Sequence, residues 1–240
     1  MKTERKTAVI VGVLFIAATT ASLSGNALTG SILDAPDYLA GVAASGNRVM
    51  IGALLTFLAA AGSAGIAIAL YPVLKKQNEG LALGSVGFRL IEGVFYIVDA
   101  LCLAAVVVVS QHAVNAGGQS ATMFQTFSDL LLAIGDLAGF VFAVLAFCLG
   151  GMMYYLIFYQ AKLVPRWLSA WGIIALVLLA AAVLFTLFDG EPYSVSGNLI
   201  YLALPIALQE LVLAVWLIVK GFNPAPSLLA SDYRPGESYA

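Results

Sequence analysis

Six ionisable side chains stand inside otherwise apolar stretches of this 240-residue chain: Arg48, Arg89, Glu92, Asp99, Asp136 and Glu210. At the centre of a bilayer each such group costs roughly 2.5–3.5 kcal/mol on insertion scales. Facing lipid together they would cost on the order of 15 kcal/mol, as much as the whole net stability of about 5–15 kcal/mol that a domain has. They must therefore face one another or water. Their spacing permits this. Arg89, Glu92, Tyr96 and Asp99 follow at intervals of 3, 4 and 3, which puts them on one helical stripe. Asp136, Gly139, Ala143 and Ala146 share a face in the same way, and Gly135, Gly139, Ala143, Ala146 and Gly150 form a seam of small residues that lets another helix come close. Pro205 precedes Gln209 and Glu210; it should free the carbonyl of Tyr201 and bend or break the last helix beside them.

At a rise of about 1.5 Å per residue, these groups sort by depth into two layers. Arg89, Glu92 and Glu210 fall near mid-membrane; Arg48, Asp99 and Asp136 fall toward the outer side. Each layer holds one arginine and two carboxylates. One carboxylate can pair with the arginine; the other must hold a proton or face a cation or water, and could couple proton movement to a substrate. The expected binding residues are thus Arg89, Glu92, Glu210, Gln209, Arg48, Tyr96, Asp99 and Asp136. In the competing reading both layers are structural ion pairs that fix helix register, as in an accessory subunit with no site of its own.

Other chemistry finds little support. The one histidine, His112, sits in a loop, and Cys102 and Cys148 lie in separate apolar runs, so neither metal ligation, haem ligation, a disulfide framework nor a serine–histidine hydrolase is expected, and no cofactor is implied. An intramembrane enzyme needs an aspartate dyad. Asp99 and Asp136 come to similar depth, and Gly135-Asp136 after Ala133 approaches the GxGD of aspartyl intramembrane proteases, but the first glycine is alanine and Tyr96 is not adjacent to Asp99. A non-enzymatic role is favoured. Tyr154, Tyr155 and Tyr159 read as interfacial belt residues.

The elements that carry these groups follow from composition. Of the residues, 62% are apolar and 10% charged, against about 45–50% and about 25% in soluble domains. That excludes a soluble globule, and 11 Lys+Arg against 13 Asp+Glu leave no basic field for nucleic acid. Six runs are long enough to cross the roughly 30 Å core: 8–25, 48–70, 82–109, 130–157, 167–188 and 199–219. Nine of the eleven bases (Lys2, Arg5, Lys6, Lys75, Lys76, Lys162, Arg166, Lys220 and Arg234) fall on one side. The opposite loops, 26–47, 110–129 and 189–198, carry Asp34, Asp37, Asp129, Asp189 and Glu191 and no base. By the positive-inside rule both termini are cytoplasmic, with Trp167, Trp171 and Trp216 as anchors near that interface. In loop 26–47, Asp34 as cap, Pro36 and Asp37 predict a short interfacial helix from Tyr38 to Ser45, ended by Gly46. In loop 110–129, Gly117-Gly118 reads as a break and 121–127 as a further short helix. The expectation is an all-α bundle of six transmembrane helices over 1–221 and a flexible cytoplasmic tail over 222–240. Its partners would be the lipid bilayer and an unknown small molecule or proton; its oligomeric state is open.

Several segments carry a family resemblance: KTAVIVGVLFIAA (6–18), YLAGVAASGNRVMIGALL (38–55), ALYPVLKKQNEGLALGSVGFRLIEGVFY (69–96), LVPRWLSAWGIIA (163–175) and LPIALQELVLAVWLIVKGFN (204–223). In this order and combination the chain resembles the bacterial multi-pass membrane proteins grouped as domain of unknown function 4386. The resemblance implies a six-span protein of the bacterial cytoplasmic (inner) membrane and no particular activity. Arg48, Arg89 and Glu210 lie within these segments; Asp99 and Asp136 do not.

Overall fold

Long apolar runs leave a backbone one way to satisfy its own polar groups, and the chain takes it: among the described residues every regular element is a helix. The computed structural model describes residues 2–115, 119–189 and 199–224. In order these form α1 (Lys2–Leu33), the short α2 (Tyr38–Ala44), α3 (Gly46–Leu74), α4 (Glu79–Asn115), α5 (Gln119–Asp136), a π-helical turn (Leu137–Phe142), α6 (Ala143–Ala161), α7 (Arg166–Asp189) and α8 (Leu199–Val219). Among the described residues five stretches are long and apolar enough to cross a membrane: Thr3–Leu33, Gly46–Leu74, Glu79–Val114, Ala121–Ala161 and Arg166–Phe188. The shorter apolar helix Ala203–Val219 accompanies them. Their outward faces carry exposed large apolar side chains such as Leu54, Leu83, Leu101, Val108 and Phe185, a belt far beyond the small apolar patches of a soluble surface.

The helices pack in a closed circuit. α1 lies against α3, α3 against α4, α4 against α6, α6 against α7, α7 against α8, and α8 returns to α1. The return depends on close approach: a Cβ at Gly12 would stand 2.7 Å from the Ala214 carbonyl oxygen and 2.7 Å from Ile218 Cγ1. Polar fastenings hold the end of the bundle where α1 begins. Arg5 Nη1 donates to the Leu217 carbonyl at 3.0 Å, and Nη2 reaches the carbonyls of Ile218 and Val219, so the free carbonyls ending α8 are capped by α1. Lys76, just past α3, pairs with Glu4 at 2.8 Å. Asn223 donates from its backbone to the Leu163 carbonyl at 2.8 Å and from its side chain to the Lys162 carbonyl at 3.0 Å, tying the end of α8 to the α6–α7 connection. Lys75, Lys76, Lys162, Arg166 and Lys220 thus gather at the end where α1 starts and α8 stops.

Several boundaries differ from the sequence reading. α1 runs on to Leu33, so most of the expected loop 26–47 is helix; Asp34 donates its backbone N–H to Gly30 and closes α1 instead of capping α2. Asp37 precedes α2 and makes no side-chain cap bond, Ser45 ends the helix, and Gly46 opens α3. The expected loop 110–129 is mostly the end of α4 and the start of α5, where the rings of His112 and Phe124 stack across the two helices. The glycine pair 117–118, most of loop 189–198 and the tail from 225, with Arg234, lie outside the described residues. Pro205 sits inside α8, which stays helical through it, so the expected broken helix is not formed there. The irregularity falls instead on Leu137–Phe142, where a π turn follows Asp136.

At the other end α2 packs on α4 and α1, with Leu39 and Val42 among Ile32, Val49, Val106 and Val107. The Tyr38 hydroxyl donates to the Asp129 carboxylate at 2.5 Å, which ties α2 to α5. Burial, and then the neighbouring carboxylate, push that hydroxyl's pKa up, so it stays a donor. Because the α1–α8 seam has no room for a side chain, Gly12→Val should destabilise the protein by about 1–3 kcal/mol, seen as a lower thermal midpoint in detergent. Gly30→Ala, where a Cβ meets nothing within 4 Å, should leave the midpoint unchanged.

Candidate functional site

The α4 stripe expected from spacing faces inward. Arg89, Glu92, Tyr96 and Asp99 all line one cavity of about 680 Å³, together with Asp136 and Glu210. Arg89 is 2% exposed, the largest fully buried side chain among the described residues. Its Nη1 donates to Ser63 Oγ at 3.0 Å and to Glu92 Oε2 at 3.1 Å; its Nη2 donates to Tyr154 Oη at 2.9 Å and stands 3.6 Å from Glu210 Oε1. The guanidinium also lies over the Phe147 ring, 4.4 Å from its centroid. Four helices (α3, α4, α6 and α8) therefore converge on one cation. Gly150 makes room for it: a Cβ there would press on Phe88 and Arg89 at 3.2–3.3 Å. The middle layer of the sequence reading is assembled as expected, with one difference. Both glutamates neighbour the arginine, Glu92 closely and Glu210 at ion-pair distance.

The expected outer layer does not form. Arg48 is exposed in the first turn of α3 and donates to Ser31 Oγ at 3.3 Å; in contact with solvent it gains nothing by reaching the aspartates. Asp99 and Asp136 line the cavity without it. The Asp99 carboxylate nests against the fourth helical run where a Cβ on Gly139 would meet it at 3.0–3.2 Å and one on Gly135 would stand 3.1 Å from Oδ1. The π turn lies at this point. One extra residue per turn is a common way to open a helix at a functional position. Among the described residues no hydrogen bond joins Asp99 to Asp136.

Gln209 is fully buried but lies off the cavity. It accepts a hydrogen bond from the Tyr155 hydroxyl and donates through Nε2 to the Leu168 carbonyl at 3.0 Å, locking α8 to α6 and α7. The tyrosines also depart from expectation. Tyr154 and Tyr155 are fully buried, and only Tyr159 is exposed like a belt residue. With Phe15 and Phe158 they form an aromatic plug under the site, with Tyr154 and Tyr155 ring centroids 4.4 Å apart. Sequence reasoning missed Tyr154, Ser63 and Phe147 as partners of Arg89. A signal existed for Tyr154: it continues the small-residue seam one step of 4 beyond Gly150, and so lies on the face turned to α4.

The cavity runs from this plug along α1, from Phe15 to Asp34, a rise of roughly 28 Å at about 1.5 Å per residue. Its walls mix apolar groups such as Ile66, Leu103 and Val144 with Thr19, Ser22, Asn26 and Thr56. Among the described residues no three His, Cys, Asp or Glu side chains converge as a metal site would require.

A family model described as Domain of unknown function (DUF4386) matches residues 10–221, and the chain belongs to that family. No curated protein and no solved structure matches it. Since Arg89 holds four helices together, Arg89→Ala should cost about 3–5 kcal/mol by stranding Glu92 and Glu210. Arg89→Lys should recover only part of this, because one ammonium cannot span Ser63, Glu92 and Tyr154 at once. Thermal midpoints of the purified variants in one detergent check both.

Proposed function

We propose that this member of the family is a six-span protein of the bacterial inner membrane that binds a small molecule in the central cavity, as a transporter or a ligand-binding membrane protein. The observation that carries the reading is a walled cavity of about 680 Å³ that reaches Glu210 and the Arg89 cluster. Volumes of this size suit drug-sized ligands, and a largely apolar wall with a few convergent polar groups is the usual form of such a site. A purely structural ion-pair core would be dry and closed; the cavity argues against that alternative. The Arg89–Glu92–Glu210 cluster stands at the cavity's blind end, where the aromatic plug separates it from the basic end of the bundle.

Orientation follows from charge. The end that gathers Arg5, Lys75, Lys76, Lys162, Arg166 and Lys220 is read as cytoplasmic by the positive-inside rule. With α8 read as a sixth crossing, both termini would lie on that side. The cavity mouth, near Asp34 and Ser31, would open to the opposite side.

The test is chemical access. In a chain whose Cys102 and Cys148 are replaced by alanine, Ser22→Cys lies on the cavity wall, and Leu101→Cys, 63% exposed, lies on the outward apolar belt. A membrane-impermeant cationic thiosulfonate should modify the Ser22→Cys protein from the non-cytoplasmic side of oriented vesicles and leave the Leu101→Cys protein unmodified. No reaction at Ser22→Cys from either side would mean that no aqueous ligand reaches the cavity.

A further inference from the structure

We propose that the ligand of this cavity is an amphipathic organic cation, an amine or quaternary ammonium carried on an apolar body; this rests on the reading of the cavity as a small-molecule site. The wall chemistry is lopsided. Five carboxylates line it (Asp34, Glu92, Asp99, Asp136 and Glu210) against one guanidinium, Arg89. That guanidinium is already engaged by Ser63, Glu92 and Tyr154. The three aspartates line the same cavity, Asp34 just past the end of α1 and Asp99 and Asp136 on α4 and α5. Among the described residues none of the three forms an ion pair. Like charges held together without a counter-ion repel, so the row is relieved by a cation that enters it.

Two observations beyond the carboxylates themselves mark a ligand's place at the deep end. Glu210 lies on the cavity wall at the long ion-pair distance of 3.6 Å from Arg89, a cation that it shares with Glu92. The Nε–H of Arg89 is a donor buried without any partner, so it marks a place for water or an acceptor on the ligand's body, not for its cationic group. Buried polar groups left unmatched are uncommon, and a bound group or its water is the usual complement.

The rest of the wall selects the kind of cation. A metal ion needs ligands that converge, and among the described residues no such group exists. A small hydrated ion would leave Phe15, Ile66, Leu103 and Ile206 facing its water. An anion meets net repulsion along the whole entry path. An apolar body with one positive charge satisfies both halves of the wall: aliphatic and aromatic contact for the body, carboxylates for the charge, and the rings of Tyr96 and Phe140 as further faces for an ammonium.

The experiment uses the full chain in lipid nanodiscs, with protein-free nanodiscs as the partition reference and three probes of nearly one shape. These are tetraphenylphosphonium (cationic), tetraphenylborate (anionic) and triphenylphosphine oxide (uncharged). Tetraphenylphosphonium should bind saturably with a stoichiometry near one, and tetraphenylborate should not bind above the reference. Asp99→Asn and Asp136→Asn should each weaken phosphonium binding at least tenfold; should either fail to give the wild-type elution profile, Asp34→Asn at the mouth replaces it. Equal affinity for borate or for the oxide, or undiminished phosphonium binding in the aspartate variants, overturns the cation assignment while leaving a general small-molecule site standing. Absence of saturable binding by any probe overturns both.

Discussion

A permanently charged guanidinium lies in the middle of an apolar bundle, and the rest of the architecture has to accommodate it. Arg89 carries five N–H donors that cannot be shed by deprotonation, and in hydrocarbon each unmatched donor is costly. Its acceptors come from Ser63 on α3, Glu92 on its own helix, Tyr154 on α6 and Glu210 on α8, with the Phe147 face beneath. No pair of neighbouring helices could supply this set. The circuit of helices closes around the cation, and the α1–α8 contact at Gly12 completes that circuit.

From this centre the two ends of the bundle diverge. Toward the basic end, Phe15, Tyr154, Tyr155 and Phe158 fill the interior, and the large apolar cluster beyond them includes Ala8, Leu70, Leu74, Leu168 and Leu217. Arg5, Asn223 and the Lys76–Glu4 pair fasten that end from outside. Toward the other end the apolar packing is confined to a smaller cluster between the end of α1, α2, the start of α3 and α4, and the cavity extends as far as Asp34. The proposed binding site rests on this division into a packed half and an open half.

The π turn and the glycines on the fourth run belong to the same design. Asp99 and Asp136 stand on helices that must approach closely and yet leave a carboxylate between them. Gly135 and Gly139 remove the side chains that would fill that gap, and the turn from Leu137 to Phe142 breaks the α-helical ladder there. Polar groups at this level are thereby presented to a cavity and not to a helix interface, which separates them from Gln209, whose amide is consumed by Tyr155 and Leu168.

Much of this was legible in residue order alone. Apolar run length determined an all-helical chain of membrane-crossing length, because a backbone in hydrocarbon must bond to itself. The 3, 4, 3 spacing of Arg89, Glu92, Tyr96 and Asp99 determined that these groups share a face, because helical geometry is local. The cost of lone charges determined that Arg89 and Glu210 turn inward. What the sequence could not carry was azimuth and depth between helices that are distant in the chain. Only tertiary packing decided that Tyr154 and Tyr155 are core and not belt, that Arg48 bonds Ser31 and leaves the aspartates unpaired, that Gln209 is locked away while Glu210 is not, and that the helix irregularity falls at Leu137 and not at Pro205. Each of these depends on which neighbour occupies a given face, and one helix's own periodicity holds no information about that.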